Sequence, residues 1–121
     1  MSTVEISPNI YWVGAIDWNL RNFHGQTYTT RRGTTYNAYL ILDEKIGLID
    51  TVHSPFAGEM VDKIKQIIEP GKIDYIIANH VEIDHSGALS EILRFCPKAK
   101  VFCTERCKEG LYRHYYRDWN F

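Results

Sequence analysis

IDYIIANHVEIDHSGA, Ile73 to Ala88, sets a short apolar run directly before His80, Glu82, Asp84 and His85, and its reading decides the fold. The run has the length and composition of a buried strand of the parallel type. In α/β sheets, ligand and catalytic groups gather where strands end at their carboxyl edge, and the chain leaves the core here near Asn79. His80, Glu82 and Asp84 are two apart, so an extended segment turns them to one side. Asp84 and His85 diverge unless the backbone turns. Ser86-Gly87 supplies that turn, leading into a helix expected from about Gly87 through ALSEILRF to near Pro97.

Upstream of this stretch, TYNAYLIL and IGLIDT are two β-rich runs joined by Asp43-Glu44-Lys45, which predicts an antiparallel hairpin. Ser54 as N-cap and Pro55 at the first helical position open a helix. Its apolar residues Phe56, Met60, Ile64, Ile67 and Ile68 recur at helical spacing up to Pro70-Gly71. Near the N-terminus, Ile6, Ile10, Trp12 and Ile16 alternate roughly as in a strand begun after Pro8. Trp18 to Thr35 has no clear period and reads as a long loop or loose hairpin, which inside a compact domain points to function. Downstream, KVFCT is a short strand. TERCKEGLYRHYY is a helix capped by Thr104 and weakened at Gly110. Strands alternating with helices after an opening hairpin give an α/β layered domain.

The 121 residues suit one globular unit, 45 % hydrophobic with formal net charge −1. Basic residues are scattered, which argues against a nucleic-acid partner. There is no signal-peptide pattern and no apolar run of membrane-spanning length, so a cytoplasmic location is expected. Cys96, Cys103 and Cys107 lack C-x-x-C spacing and read as reduced, structural thiols. The chain stops at RDWNF without a closing strand and reads as a fragment.

Mixed imidazole and carboxylate donors suit iron, manganese or zinc better than soft copper(I). One ion can take His80 and Glu82 and a second Asp84 and His85, as in sites with two metals about 3.5 to 4 Å apart. A plainer reading has Asp84 or Ser86 merely capping the next helix. The order H-x-E-x-D-H after a buried strand favours the metal.

That order resembles the H-x-H-x-D-H pattern of the metallo-β-lactamase superfamily, in the glutamate variant found in flavodiiron proteins. VGAIDWNLRNFHG, GTTYNAYLI and LIDT resemble the opening of those proteins in order and spacing. The resemblance implies the N-terminal portion of an αββα sandwich, with residues 1–121 forming part of a diiron domain and a flavodoxin-like FMN domain absent from this chain. It implies two iron ions, reduction of dioxygen to water or nitric oxide to nitrous oxide, electrons from rubredoxin or a similar donor, and a head-to-tail homodimer. By the same resemblance His80 and Glu82 match ligands of the first iron and Asp84 and His85 those of the second. His24, in NFHG, matches a residue handling the gas or its protons, and Asp50 matches a position that helps hold the ligand loop. Trp18, Tyr28 and Tyr36 are candidates for the pocket wall, although core aromatics are the simpler reading.

The family draws its remaining ligands, a histidine, a bridging aspartate and a last histidine, from sequence beyond Phe121. His114 falls in the third predicted helix and His53 in a loop, and neither is expected to replace them. Two other classes compete: a metallo-β-lactamase-like hydrolase, and a non-catalytic metal-binding remnant. Glu82 speaks against the hydrolase, because an anionic donor makes the site harder and favours iron or manganese and the oxidised state.

Overall fold

A computed structural model describes residues 3–18, 22–23, 28–29, 33–117 and 119–121. Strands β1 (Val4–Ser7), β2 (Ile10–Trp12), β7 (Tyr39–Ile41), β8 (Gly47–Ile49), β9 (Tyr75–Ile77) and β10 (Lys100–Phe102) form a sheet in that order. The first four pair antiparallel, and β8, β9 and β10 run parallel. Between them lie β3 (Ala15–Asp17), which pairs with β6 (Thr34–Tyr36), and β4 (Asn22–Phe23), which pairs with β5 (Tyr28–Thr29). Helices α1 (Ala57–Lys65), α2 (Ile83–Ser86), α3 (Leu89–Phe95) and α4 (Glu105–Tyr115) complete the described elements. Among them none is long and apolar enough to cross a membrane.

Alternation along each strand sorts the residues into two faces. Leu40, Leu48, Ile76 and Val101 are buried in one core with Met60, Ile64, Leu89 and Ile92 from α1 and α3. Tyr39, Ile41, Ile49, Tyr75 and Ile77 point to the opposite face and are half-buried. This is a layered α/β domain with an apolar but open second face, as expected for one half of an αββα sandwich.

The expected β7–β8 hairpin forms, and β9 is a parallel strand between two others. Other boundaries move. The first strand starts before Pro8, not after it: Pro8-Asn9 is the turn between β1 and β2, and Asn9 takes the positive φ of 64° that asparagine tolerates. Ser54 does not cap α1. The first turn, Ser54–Phe56, tightens to a 3-10 helix by the Phe56 N–H to His53 carbonyl bond, so the cap moves back to His53. The helix expected from about Gly87 is α3, Leu89–Phe95, and a separate single turn, α2, precedes it at Ile83–Ser86, held by tertiary bonds that no local signal announces. Thr104 caps α4 as read, its hydroxyl accepting from Cys107 N at 3.1 Å.

Ile76 is fully buried in the middle parallel strand. Truncation to alanine is expected to cost about 2–5 kcal/mol, read as a lower urea midpoint with unchanged slope.

Candidate metal centre

The site lies at the carboxyl end of β9, where parallel pairing sets Ile49 opposite Ile77 and so brings Asp50 level with Ala78. Asp50 is 6 % exposed and adopts φ 59°. That left-handed turn sends its carboxylate across the strand ends: Oδ1 accepts from Asn79 N at 2.7 Å, and Oδ2 lies 3.1 Å from His85 Nδ1. Thr51 then grips the same histidine through the backbone, with its N–H and hydroxyl donating to the His85 carbonyl at 2.9 and 2.6 Å.

His80 and Glu82 lie on an extended segment, whereas Asp84 and His85 stand on the single helical turn α2. The expectation that His80, Glu82 and Asp84 share one side of an extended segment is therefore corrected. The chain turns after Glu82, and the four side chains form two pairs. His80 Nε2 is 3.0 Å from Glu82 Oε1, and His85 Nε2 is 3.5 Å from Asp84 Oδ2. The two imidazoles meet edge to face at 5.1 Å. With His85 Nδ1 committed to Asp50, its Nε2 is the nitrogen left for a ligand, the arrangement common to metal-binding histidines.

Donors bonded to one ion at about 2.1 Å sit about 3.0 Å apart at a right angle and about 3.4 Å apart at the tetrahedral angle. Both pairs have a spacing compatible with sharing one ion each, which is also the spacing of a direct hydrogen bond or ion pair. Among the described residues, no group of three or more His, Cys, Asp or Glu side chains is arranged to hold an ion.

The back of the loop is packed against α4 and against residues 52–54. Ser86 Oγ bonds the carbonyls of Val81 and Glu82 and lies 2.7 Å from Tyr115 OH. Gly110, which reads as a weak point of α4, faces Val81, and a Cβ there would come within 3.2 Å of a Val81 methyl. Gly87 is packed more tightly still: a Cβ would sit 2.5 Å from the Ile83 carbonyl and 2.7 Å from Ser54 N. Ala88 N–H donates to the Val52 carbonyl at 2.9 Å. Thr51, Ser86, Tyr115 and the two glycines thus belong to the support of the site. Only the DT dipeptide and the glycines carry any trace of this in sequence.

Tyr36 is buried, donates to Asp17 Oδ2 at 2.8 Å, and stacks edge-on with His53 at 5.7 Å. Burial first, then the Asp17 hydrogen bond and the charges of Asp17 and Asp84, push its hydroxyl well above the ordinary tyrosine range. It stays protonated and packs in the core against His53 and Phe56, the simpler of the two readings. Trp18 is 63 % exposed. His53 packs against Tyr36, and its buried Nδ1 has no hydrogen-bond partner among the described residues. His114 is exposed on α4. His24 and the side chain of Tyr28 lie outside the described residues.

With this geometry in view, the sequence matches the model of the ODP family beta lactamase over residues 34–120, and the chain belongs to that family. It is 53 % identical over 119 residues to the nitric oxide reductase of Moorella thermoacetica, covering 98 % of this chain and 30 % of the relative. In fold it is similar to the rubredoxin oxygen:oxidoreductase of Desulfovibrio gigas, with TM-score 0.92 and 41 % identity over 98 % of this chain and 29 % of that one. The flavodiiron protein of Giardia intestinalis superposes with TM-score 0.88 and 39 % identity over 95 % of this chain and 28 % of that one. The chain spans under a third of the length of these relatives.

Asp50→Ala leaves the Asn79 N–H unpaired and frees the His85 ring. In the full-length protein, iron or zinc affinity measured by equilibrium dialysis is expected to fall roughly 10–100-fold.

Proposed function

We propose that this chain carries the His80/Glu82 and Asp84/His85 half of a nonheme diiron centre, in a protein that reduces dioxygen to water or nitric oxide to nitrous oxide. The observation that carries the reading is the pairing itself: one imidazole and one carboxylate per ion, with His85 oriented by Asp50. Similarity to a nitric oxide reductase and to a rubredoxin oxygen:oxidoreductase supports the reaction. Similarity to a flavodiiron protein and to a rubredoxin oxygen:oxidoreductase supports a flavin, FMN in this reading, and a rubredoxin-type donor for the longer protein.

Iron in this site would supply the electrons and the binding position for the diatomic gas. The chain's own residues hold and tune it. Glu82 contributes an anionic oxygen where a hydrolytic zinc site usually keeps a neutral imidazole, which favours iron or manganese and steadies the oxidised metal. Asp50 fixes the tautomer of His85 by accepting at Nδ1. Tyr36, kept protonated, adds no competing phenolate. His24 is assigned to the protons of the reaction on the strength of the family resemblance. The remaining ligands, the FMN domain and a head-to-tail dimer belong to the longer protein, and the half-exposed apolar face of the sheet supports a second layer there.

The hydrolase reading predicts zinc and ester or thioester cleavage. In full-length protein reconstituted anaerobically with ferrous iron, we expect about two irons per chain and donor-dependent consumption of nitric oxide or oxygen. Glu82→His is expected to lower that turnover at least tenfold while raising the preference for zinc. Unchanged turnover in this variant, or zinc with esterase activity in the parent, would overturn the assignment.

A further inference from the structure

Helix α4 runs beside the donor loop in the same direction and in step with it. Cys107 Sγ reaches the Ala78 carbonyl at 3.6 Å, Gly110 faces Val81, and Tyr115 OH is 2.7 Å from Ser86 Oγ; in each contact the loop residue lies 29 positions earlier in the chain. From Cys107 to Tyr115 the helix rises about 12 Å, whereas the same number of extended residues, Ala78 to Ser86, would span about 26 Å. The loop matches the helix only by folding back, and it does so in α2, directly after Glu82. The fold-back is built on the Glu82 carbonyl, which accepts from the N–H groups of His85 and Ser86 at 2.9 and 2.8 Å. Ser86 Oγ reinforces it by donating to the Val81 and Glu82 carbonyls. That spends the only proton of the hydroxyl, so Tyr115 O–H is the donor to Ser86 Oγ. Tyr115 is the last residue of α4, and its ring packs against His114 at 4.6 Å and Trp119 at 5.7 Å.

We propose that α4 is the ruler of the donor loop and that the Tyr115 hydroxyl is its end stop, a positioning residue that acts through Ser86 to set how far the Asp84/His85 pair stands from the His80/Glu82 pair. Asp50 and Thr51 hold the ring and the carbonyl of His85 from the strand side. Tyr115 holds the opposite side of the same turn. A single turn of four residues is far too short to be stable by itself, so α2 keeps its place only through these outside bonds. The two imidazoles, one from each pair, meet at 5.1 Å in this arrangement. Ions about 3.5 to 4 Å apart act as one site, so a loosened turn separates them even where every donor side chain is kept. What this means for iron rests on the diiron reading above; the positioning of the turn does not.

The test is Tyr115→Phe in the full-length protein, a change that keeps the ring and its packing and removes only the donor. Amide hydrogen exchange is followed by mass spectrometry after chelation of metal. Peptides spanning residues 80–88 are expected to exchange roughly three- to tenfold faster in the variant, and those of α1 at the parent rate. Adding Tyr115→Phe to Ser86→Ala is expected to change nothing further, because the phenol acts through that hydroxyl. In iron-loaded protein brought to the mixed-valent state, the spin-coupled electron paramagnetic resonance signal of the parent is expected to weaken or shift in Tyr115→Phe. Unchanged exchange in the loop, equal acceleration in α1, additivity with Ser86→Ala, or an unaltered signal overturns the proposal. A parent without a spin-coupled pair of irons overturns the diiron reading instead, and the exchange after chelation still decides the role of Tyr115.

Discussion

The candidate centre depends on one carboxylate. Asp50 sits at the end of β8 in a left-handed conformation, and from there it satisfies the Asn79 N–H just beyond its partner strand and orients a histidine 35 residues further along the chain. A buried carboxylate with no partner is costly, as is an orphaned backbone N–H, so each stabilises the other only while the β8–β9 register is kept. Sheet pairing and ligand placement are therefore one constraint. Thr51 extends it by holding the His85 carbonyl, which leaves the imidazole little freedom to turn.

Support from behind explains why α4 follows the loop so closely. Val81 packs over Gly110, Ser86 reaches Tyr115, and Cys107 reaches Ala78, so one helix contacts the loop before, within and after its extended part. Gly110 costs the helix about 1 kcal/mol relative to alanine, and the close approach of Val81 is the reason it is tolerated. The other side of the loop is open, with the His80 and Glu82 side chains close to half exposed.

The two faces of the sheet carry the same message at a larger scale. Leucine, isoleucine and valine fill the helix-covered face, while tyrosine and isoleucine on the other remain half-buried. An apolar face of this kind is suited to packing against another layer. The His80–His85 loop lies at the rim of the layer described, at the carboxyl end of β9.

Much of this was legible in the residues alone. The buried strand before Asn79, the β7–β8 hairpin, the Thr104 cap and the four donors each rest on local pattern: apolar runs, turn residues, capping hydroxyls. The division of the four side chains into His80 with Glu82 and Asp84 with His85 was read from the sequence, but not the turn after Glu82 that sets the two pairs on different elements. Glu82 ends the extended segment, and α2 starts four residues before Gly87, because Thr51, Val52, Ser86 and Tyr115 supply bonds from distant elements. Sequence by itself determined which groups are available and on which kind of element they ride. Tertiary structure decided which nitrogen of His85 is free, how the turn after Glu82 sets the two pairs on different elements, and what backs them, because those depend on hydrogen bonds and contacts between residues far apart in the chain.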